Sequence, residues 1–122
     1  MTLFFYDSYA VIEYLQNNPR FIHYFEEHTG ILTLLNLLEI YYSVLNEAGE
    51  EKASLVLNKL YPLRIEPSQE TIKKAMQFKK QHKKLDMSYA DCLGYCLAME
   101  RGIKFLTGDS QFRGRDNVEF MK

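Results

Sequence analysis

Leu3-Phe4-Phe5-Tyr6 is apolar at every position and stops at Asp7-Ser8. A strand with one wet face alternates apolar and polar residues. A run that is apolar throughout is buried on both faces, as at the centre of a parallel sheet. A similar short apolar run, Ile103-Lys104-Phe105-Leu106, leads into Thr107-Gly108-Asp109 near the other end of the chain. Between the two, segments with helical spacing alternate with short strand candidates. That alternation predicts an α/β domain: a three-layer α/β/α sandwich with a largely parallel central sheet, helices covering both faces. Residues 1–122 fit a single domain, and no repeat, linker or low-complexity segment interrupts them.

In chain order, Tyr9 to Leu15 reads as a helix stopped by Asn17-Asn18-Pro19. Phe21 to Phe25 reads as a second short helix with Gly30 as its cap. Ile31 to Leu34 is the next strand candidate. It runs into a helix over Asn36 to Leu45 that is apolar nearly all round and is predicted to be buried. Glu50 to Leu60 is amphipathic, and Tyr61 to Ile65 alternates, which suits an edge strand where Pro62 is tolerated. Ser68 caps a helix whose end is basic, with Lys79, Lys80, Lys83 and Lys84. Leu85 to Phe112 then gives a capped apolar helix, a glycine turn, a strand and an acidic turn. Asn117 to Met121 offers a last strand.

A net charge of -1 excludes nucleic-acid binding by bulk positive charge and leaves room only for a local basic patch. Cys92 and Cys96 lie one helical turn apart, badly aimed for a disulfide, and read as buried small hydrophobes in a reducing compartment. The three histidines show no zinc-ligand spacing. The N-terminus lacks the basic region of a signal peptide, and no apolar run approaches the ~20 residues of a membrane span. A cytoplasmic location, with no membrane attachment, is expected.

Four acids stand out. Asp7 and Asp109 follow predicted strands, so both belong at the carboxyl edge of the sheet, where α/β folds bind ligands. Asp91 stands three residues after Ser88, the spacing of a capping box. Each of these three has a structural reading as cap or turn. Glu39 sits in an apolar helix with no basic residue in the flanking turns, so it faces a solvent-filled cleft, meets a cation, or snorkels to the surface. Converging carboxylates raise one another's pKa unless a cation lies between them. Clustered oxygen donors suit Mg²⁺ or Mn²⁺ rather than zinc, and such an ion activates water against a phosphodiester. Asp86 is a rival to Asp91 but lies before the helix, where capping or solvent exposure explains it.

The contexts FFYDSYAVIEYL, LLNLLEIYYSVL, LDMSYADCLGYCLA and GIKFLTGDSQF resemble, in order and spacing, the four acidic positions of the PIN domain family, and especially its small VapC-type toxins. The resemblance covers essentially the whole chain. It implies a Mg²⁺- or Mn²⁺-dependent ribonuclease in which Asp7, Glu39, Asp91 and Asp109 hold metal and orient the attacking water. It also implies a homodimer and, for the toxin branch, an antitoxin protein that blocks the site. Ser8 and Ser110 follow the first and last acids as sources of hydroxyl contacts or as ordinary helix-start serines. The chain departs from the family at Cys96, where many relatives carry Thr, and at Ser110 and Gln111, where some carry a further acid.

For the RNA substrate, Lys83 and Lys84 are candidates for a phosphate track or a plain solvated helix end. Arg113 and Arg115, beyond Asp109, are nearer the predicted rim. Tyr41, Tyr42 and the Phe21 to Phe25 helix are candidate dimer surface or core. The alternatives are a PIN nuclease of RNA processing without an antitoxin and a catalytically silent PIN-like binding module. A signalling receiver is disfavoured because Tyr6 precedes a lone Asp7. A haloacid-dehalogenase-like phosphatase is disfavoured by Tyr9, two residues after Asp7.

Overall fold

The computed structural model describes residues 1–122. Four strands form one sheet in the order β2-β1-β3-β4, with every pair parallel. They are β1 (Leu3–Tyr6), β2 (Thr29–Ile31), β3 (Lys104–Thr107) and β4 (Val118–Phe120). The helices are α1 (Ser8–Leu15), α2 (Ile22–Glu26), α3 (Leu34–Ala48), α4 (Glu50–Leu60), α5 (Gln69–Gln81) and α6 (Tyr89–Arg101). The predicted sandwich and its parallel sheet are the observed architecture.

The alternation of β1 side chains divides the core. Phe4 and Tyr6 point into one cluster with Val11, Ile40, Ala53 and Leu106, under α1 to α4. Phe5 points the other way, into a cluster with Phe105, Ala75, Cys92 and Leu97, under α5 and α6. Both faces are therefore dry, which is why β1 shows no polar alternation. At Gly94 a Cβ would lie 2.5 Å from the Phe5 ring and 3.1 Å from that of Phe105. Glycine there lets α6 lie directly on β1 and β3, and its first turn, with Asp91, reaches the carboxyl edge of the sheet.

The chain leaves β1 through α1 and α2 to pair on one side as β2, and returns through α3 to α6 to pair on the other side as β3. The crossovers diverge at β1, so the crevice beyond the carboxyl ends of β1 and β3 is the topological switch point, the usual ligand site of such sheets. Asp7 and Asp109 stand at that crevice.

Four expectations need correction. Gly30 does not cap a helix: it lies inside β2, paired with Phe4, and a Cβ there would come 2.2 Å from the Tyr6 ring. The strand accordingly starts at Thr29 rather than Ile31, with Thr29 paired to Leu3. The Tyr61 to Ile65 edge strand is instead a 3₁₀ turn at Tyr61–Leu63 around Pro62, followed by one parallel bridge between Leu32 and Arg64. Finally, α3 is not buried all round. Leu34, Leu38 and Tyr42 are 58%, 60% and 67% exposed, an apolar stripe at four-residue spacing on the outer face.

Candidate functional site

Asp7 is the N-cap of α1 and is almost wholly buried. Its Oδ1 accepts from the Ser8 N–H at 2.9 Å, and its Oδ2 accepts from the Thr107 hydroxyl at 2.7 Å. The carboxyl is pushed up to about 8, first by burial and next by the charge of Asp91, with Glu39 adding to it and the Thr107 and Ser8 hydrogen bonds opposing it.

Glu39 lies half-buried on α3, facing α1. Its Oε1 accepts from Ser8 Oγ at 2.6 Å, and the same hydroxyl accepts from Asn36 Nδ2 at 3.0 Å. Asn36 is fully buried and closes the capping box of α3 through the Thr33 N–H and hydroxyl, each at 2.9 Å. A chain of hydrogen bonds thus runs from the start of α3 to Glu39 and holds it beside Asp7.

Asp91 closes the capping box of α6: its Oδ2 accepts from the Ser88 N–H at 2.9 Å while its own N–H donates to Ser88 Oγ at 3.0 Å. Its carboxyl is also raised, chiefly by burial, with Asp109 and Glu39 adding to the shift and the Ser88 contacts opposing it. Asp109 caps the 3₁₀ turn Ser110–Phe112, its Oδ1 accepting from the Gln111 N–H at 3.0 Å. Its own N–H donates to Thr107 Oγ1 at 3.0 Å. Thr107 therefore bridges the first and fourth acids.

All four carboxylates share one electrostatic neighbourhood at the switch point. Glu39 Oε2, Asp91 Oδ1 and Asp109 Oδ2 make no hydrogen bond and reach solvent, since Gln111 Oε1 is the sole buried side-chain polar atom without a partner. The donor set is all oxygen, free of His and Cys, which fits a hard divalent cation and not zinc. The carboxylates do not stand as a closed cage: no group of three or more His, Cys, Asp or Glu side chains is placed to hold an ion.

The PIN domain profile matches residues 5–117 of the chain, which takes in all four acids. The chain belongs to the PIN domain family. No curated protein matches this PIN domain by sequence. Among solved structures it resembles a chain from a toxin-antitoxin complex from Klebsiella pneumoniae, at a TM-score of 0.74 and 15% identity, over 98% of this chain and 96% of that one. No helix of this PIN domain is long and apolar enough to cross a membrane.

The remaining candidates share no side-chain hydrogen bond with the four acids. Lys83 and Lys84 are exposed in the turn after α5. Arg113 is exposed, with its guanidinium 4.4 Å from the centre of the Phe120 ring. Arg115 is turned towards α5, over Phe78 at 5.6 Å, with its Nε donating to the Gln111 carbonyl at 3.4 Å. Ser110 is exposed and makes no side-chain hydrogen bond to an acid. Asp86 is exposed and offers its main-chain carbonyl to Gln111. Cys96 does not face the site. It packs in the α5 to α6 core, and its charged neighbours are Glu100 and Lys74. Cys92 and Cys96 are both free thiols.

Two residues escaped the sequence reading. Thr107 carries a signal in retrospect: a hydroxyl closing the strand before the fourth acid. Asn36, two positions past the strand candidate, looks like an ordinary helix-start residue, and only the tertiary contact to Ser8 distinguishes it.

Proposed function

We propose that this PIN domain is a Mg²⁺- or Mn²⁺-dependent endoribonuclease, the toxin of a toxin-antitoxin pair. The observation that carries the reading is the set of hydrogen bonds that ties Asp7 to the Asp109 main chain through Thr107 and Glu39 to the start of α1 through Ser8, at the edge where Asp91 starts α6. These four would hold the ion. When bound, the metal supplies Lewis acidity to the phosphodiester and a lowered pKa to water.

The protein's own part is preorganisation. Thr107 fixes Asp7 and the Asp109 main chain together, and Ser8 with Asn36 fixes Glu39. The N-terminus of α6 faces the same edge, and its positive end partly offsets the acidic charge. Arg113, Lys83 and Lys84 would guide RNA phosphates from outside the site. The toxin-antitoxin structure that resembles this fold supports an antitoxin partner, and the exposed Leu34, Leu38 and Tyr42 stripe supports a protein contact, with antitoxin or with a second copy.

Purified protein incubated with a structured RNA and Mg²⁺ or Mn²⁺ should cleave it, and Asp7→Asn or EDTA should abolish cleavage. Cleavage that survives both treatments rules the metal reading out. Co-purification with the product of the neighbouring small reading frame, with loss of cleavage in the complex, tests the toxin assignment.

A further inference from the structure

We infer that Gln111 is a positioning residue that clamps the turn carrying Asp109 to the segment leading into the helix that carries Asp91. Its N–H donates to Asp109 Oδ1 at 3.0 Å, and its side-chain Nε2 donates to the Asp86 carbonyl at 2.8 Å. Its own carbonyl accepts from Arg115 Nε at 3.4 Å. The amide orientation follows from chemistry: only the NH₂ end can face a carbonyl oxygen at that distance. Oε1 is thereby turned to the dry side, where it is buried without a donor. The amide gives up a hydrogen bond there to keep the one to Asp86.

The segment it grips is pinned residue by residue. The Asp86 carbonyl is held by Gln111, the Met87 carbonyl by Lys79 Nζ, and Ser88 by the capping box with Asp91. Gln111 is thus the tie between two acid-bearing turns whose carboxylates repel each other, and the separation of those charges is what the clamp sets. The side chain acts on the metal site through Asp109 and Asp86, without being a ligand. This rests on the reading of the four acids as one metal site.

The rival role for position 111 is that of a ligand position that has lost its acid. Gln111→Glu and Gln111→Leu in the full chain separate the two. Hydrogen exchange is followed in residues 85–88 and 109–113, with the β1 amides as a control for folding, and Mn²⁺ binding is measured by calorimetry. A clamp predicts faster exchange in both segments for both variants with β1 unchanged. It also predicts Mn²⁺ affinity lowered about three- to tenfold, the loss expected for one hydrogen bond, with Glu no better than Leu. Tighter Mn²⁺ binding by Gln111→Glu than by the wild type overturns the clamp in favour of a ligand position. Unchanged exchange at residues 85–88 in both variants overturns it outright. If the wild type itself binds no Mn²⁺ and cleaves no RNA, the metal reading falls, while the exchange measurement still decides the clamp.

Discussion

Asp7→Asn should change how stability depends on pH in metal-free solution, and the sign follows from the burial of the carboxyl. In the folded chain this group titrates at about 8, against an ordinary value of 3.8. Between those values the native state holds a proton that the unfolded state has released. Stability then falls as pH rises, by about 1.4 kcal/mol per unit for one such group. From pH 5 to pH 7 the Asp7 contribution amounts to a loss of about 2.7 kcal/mol. Above about pH 8 both states are ionised and the slope levels. Asp91 is raised too, chiefly by burial, so its contribution has the same sign. An amide at position 7 keeps the shape of the carboxyl and never ionises. Urea unfolding in EDTA at pH 5, 6 and 7 should therefore show the variant gaining on the wild type by roughly 1.4 kcal/mol per pH unit. Parallel curves for the two proteins would refute the assignment of Asp7 as a buried group neutral at pH 7.

Three further outcomes are expected. Mn²⁺ at about 100 times its Kd should stabilise the wild type at pH 7 by about 2.7 kcal/mol and leave Asp7→Asn nearly unmoved; thermal melts that shift equally in both would argue against Asp7 as a ligand. Thr107→Val removes the donor to Asp7 and strands the Asp109 N–H, so it should cost about 1–3 kcal/mol in urea unfolding and move the upper end of the Asp7 pH window higher. Gly30→Ala forces a methyl against the Tyr6 ring and should cost about 1–3 kcal/mol, read as a lower urea midpoint; an unchanged midpoint would mean that the ring moves freely.

The parallel sandwich was legible because its signals are local. β1 and β3 are apolar where both faces are covered, and Ser68 and Ser88 announce their helices by cap chemistry that needs no tertiary partner. The failures came where distant contacts override local pattern. Gly30 looks like a helix cap until the Tyr6 ring is placed over it. Tyr61 to Ile65 alternates like a strand, but Pro62 and the short reach to Leu32 leave room for one bridge only. The apolar circumference of α3 suggested burial, and nothing in the sequence distinguishes an apolar face awaiting a partner from one already covered. Cys96 invited suspicion from family comparison alone; its helical phase, shared with Cys92 and Glu100, already turned it from Asp91.

The acids themselves show why function was harder to read than fold. Asp7, Asp91 and Asp109 each do the local work that a structural reading assigns them: Asp7 caps α1, Asp91 closes the box of α6, and Asp109 caps the turn after β3. These roles do not compete with a shared site. Asp91 and Asp109 each spend one oxygen on backbone N–H groups and leave the other open. Capping also fixes where a carboxylate stands, because a cap is tied to the first turn of its helix. Three such starts brought to one sheet edge place three carboxylates there without further design. Glu39, the acid that caps nothing, needs the separate Ser8 and Asn36 relay to reach them. Caps seen singly are ordinary; what marks this set is that the switch point gathers them and that the one acid without a capping role is tied in by a buried polar chain.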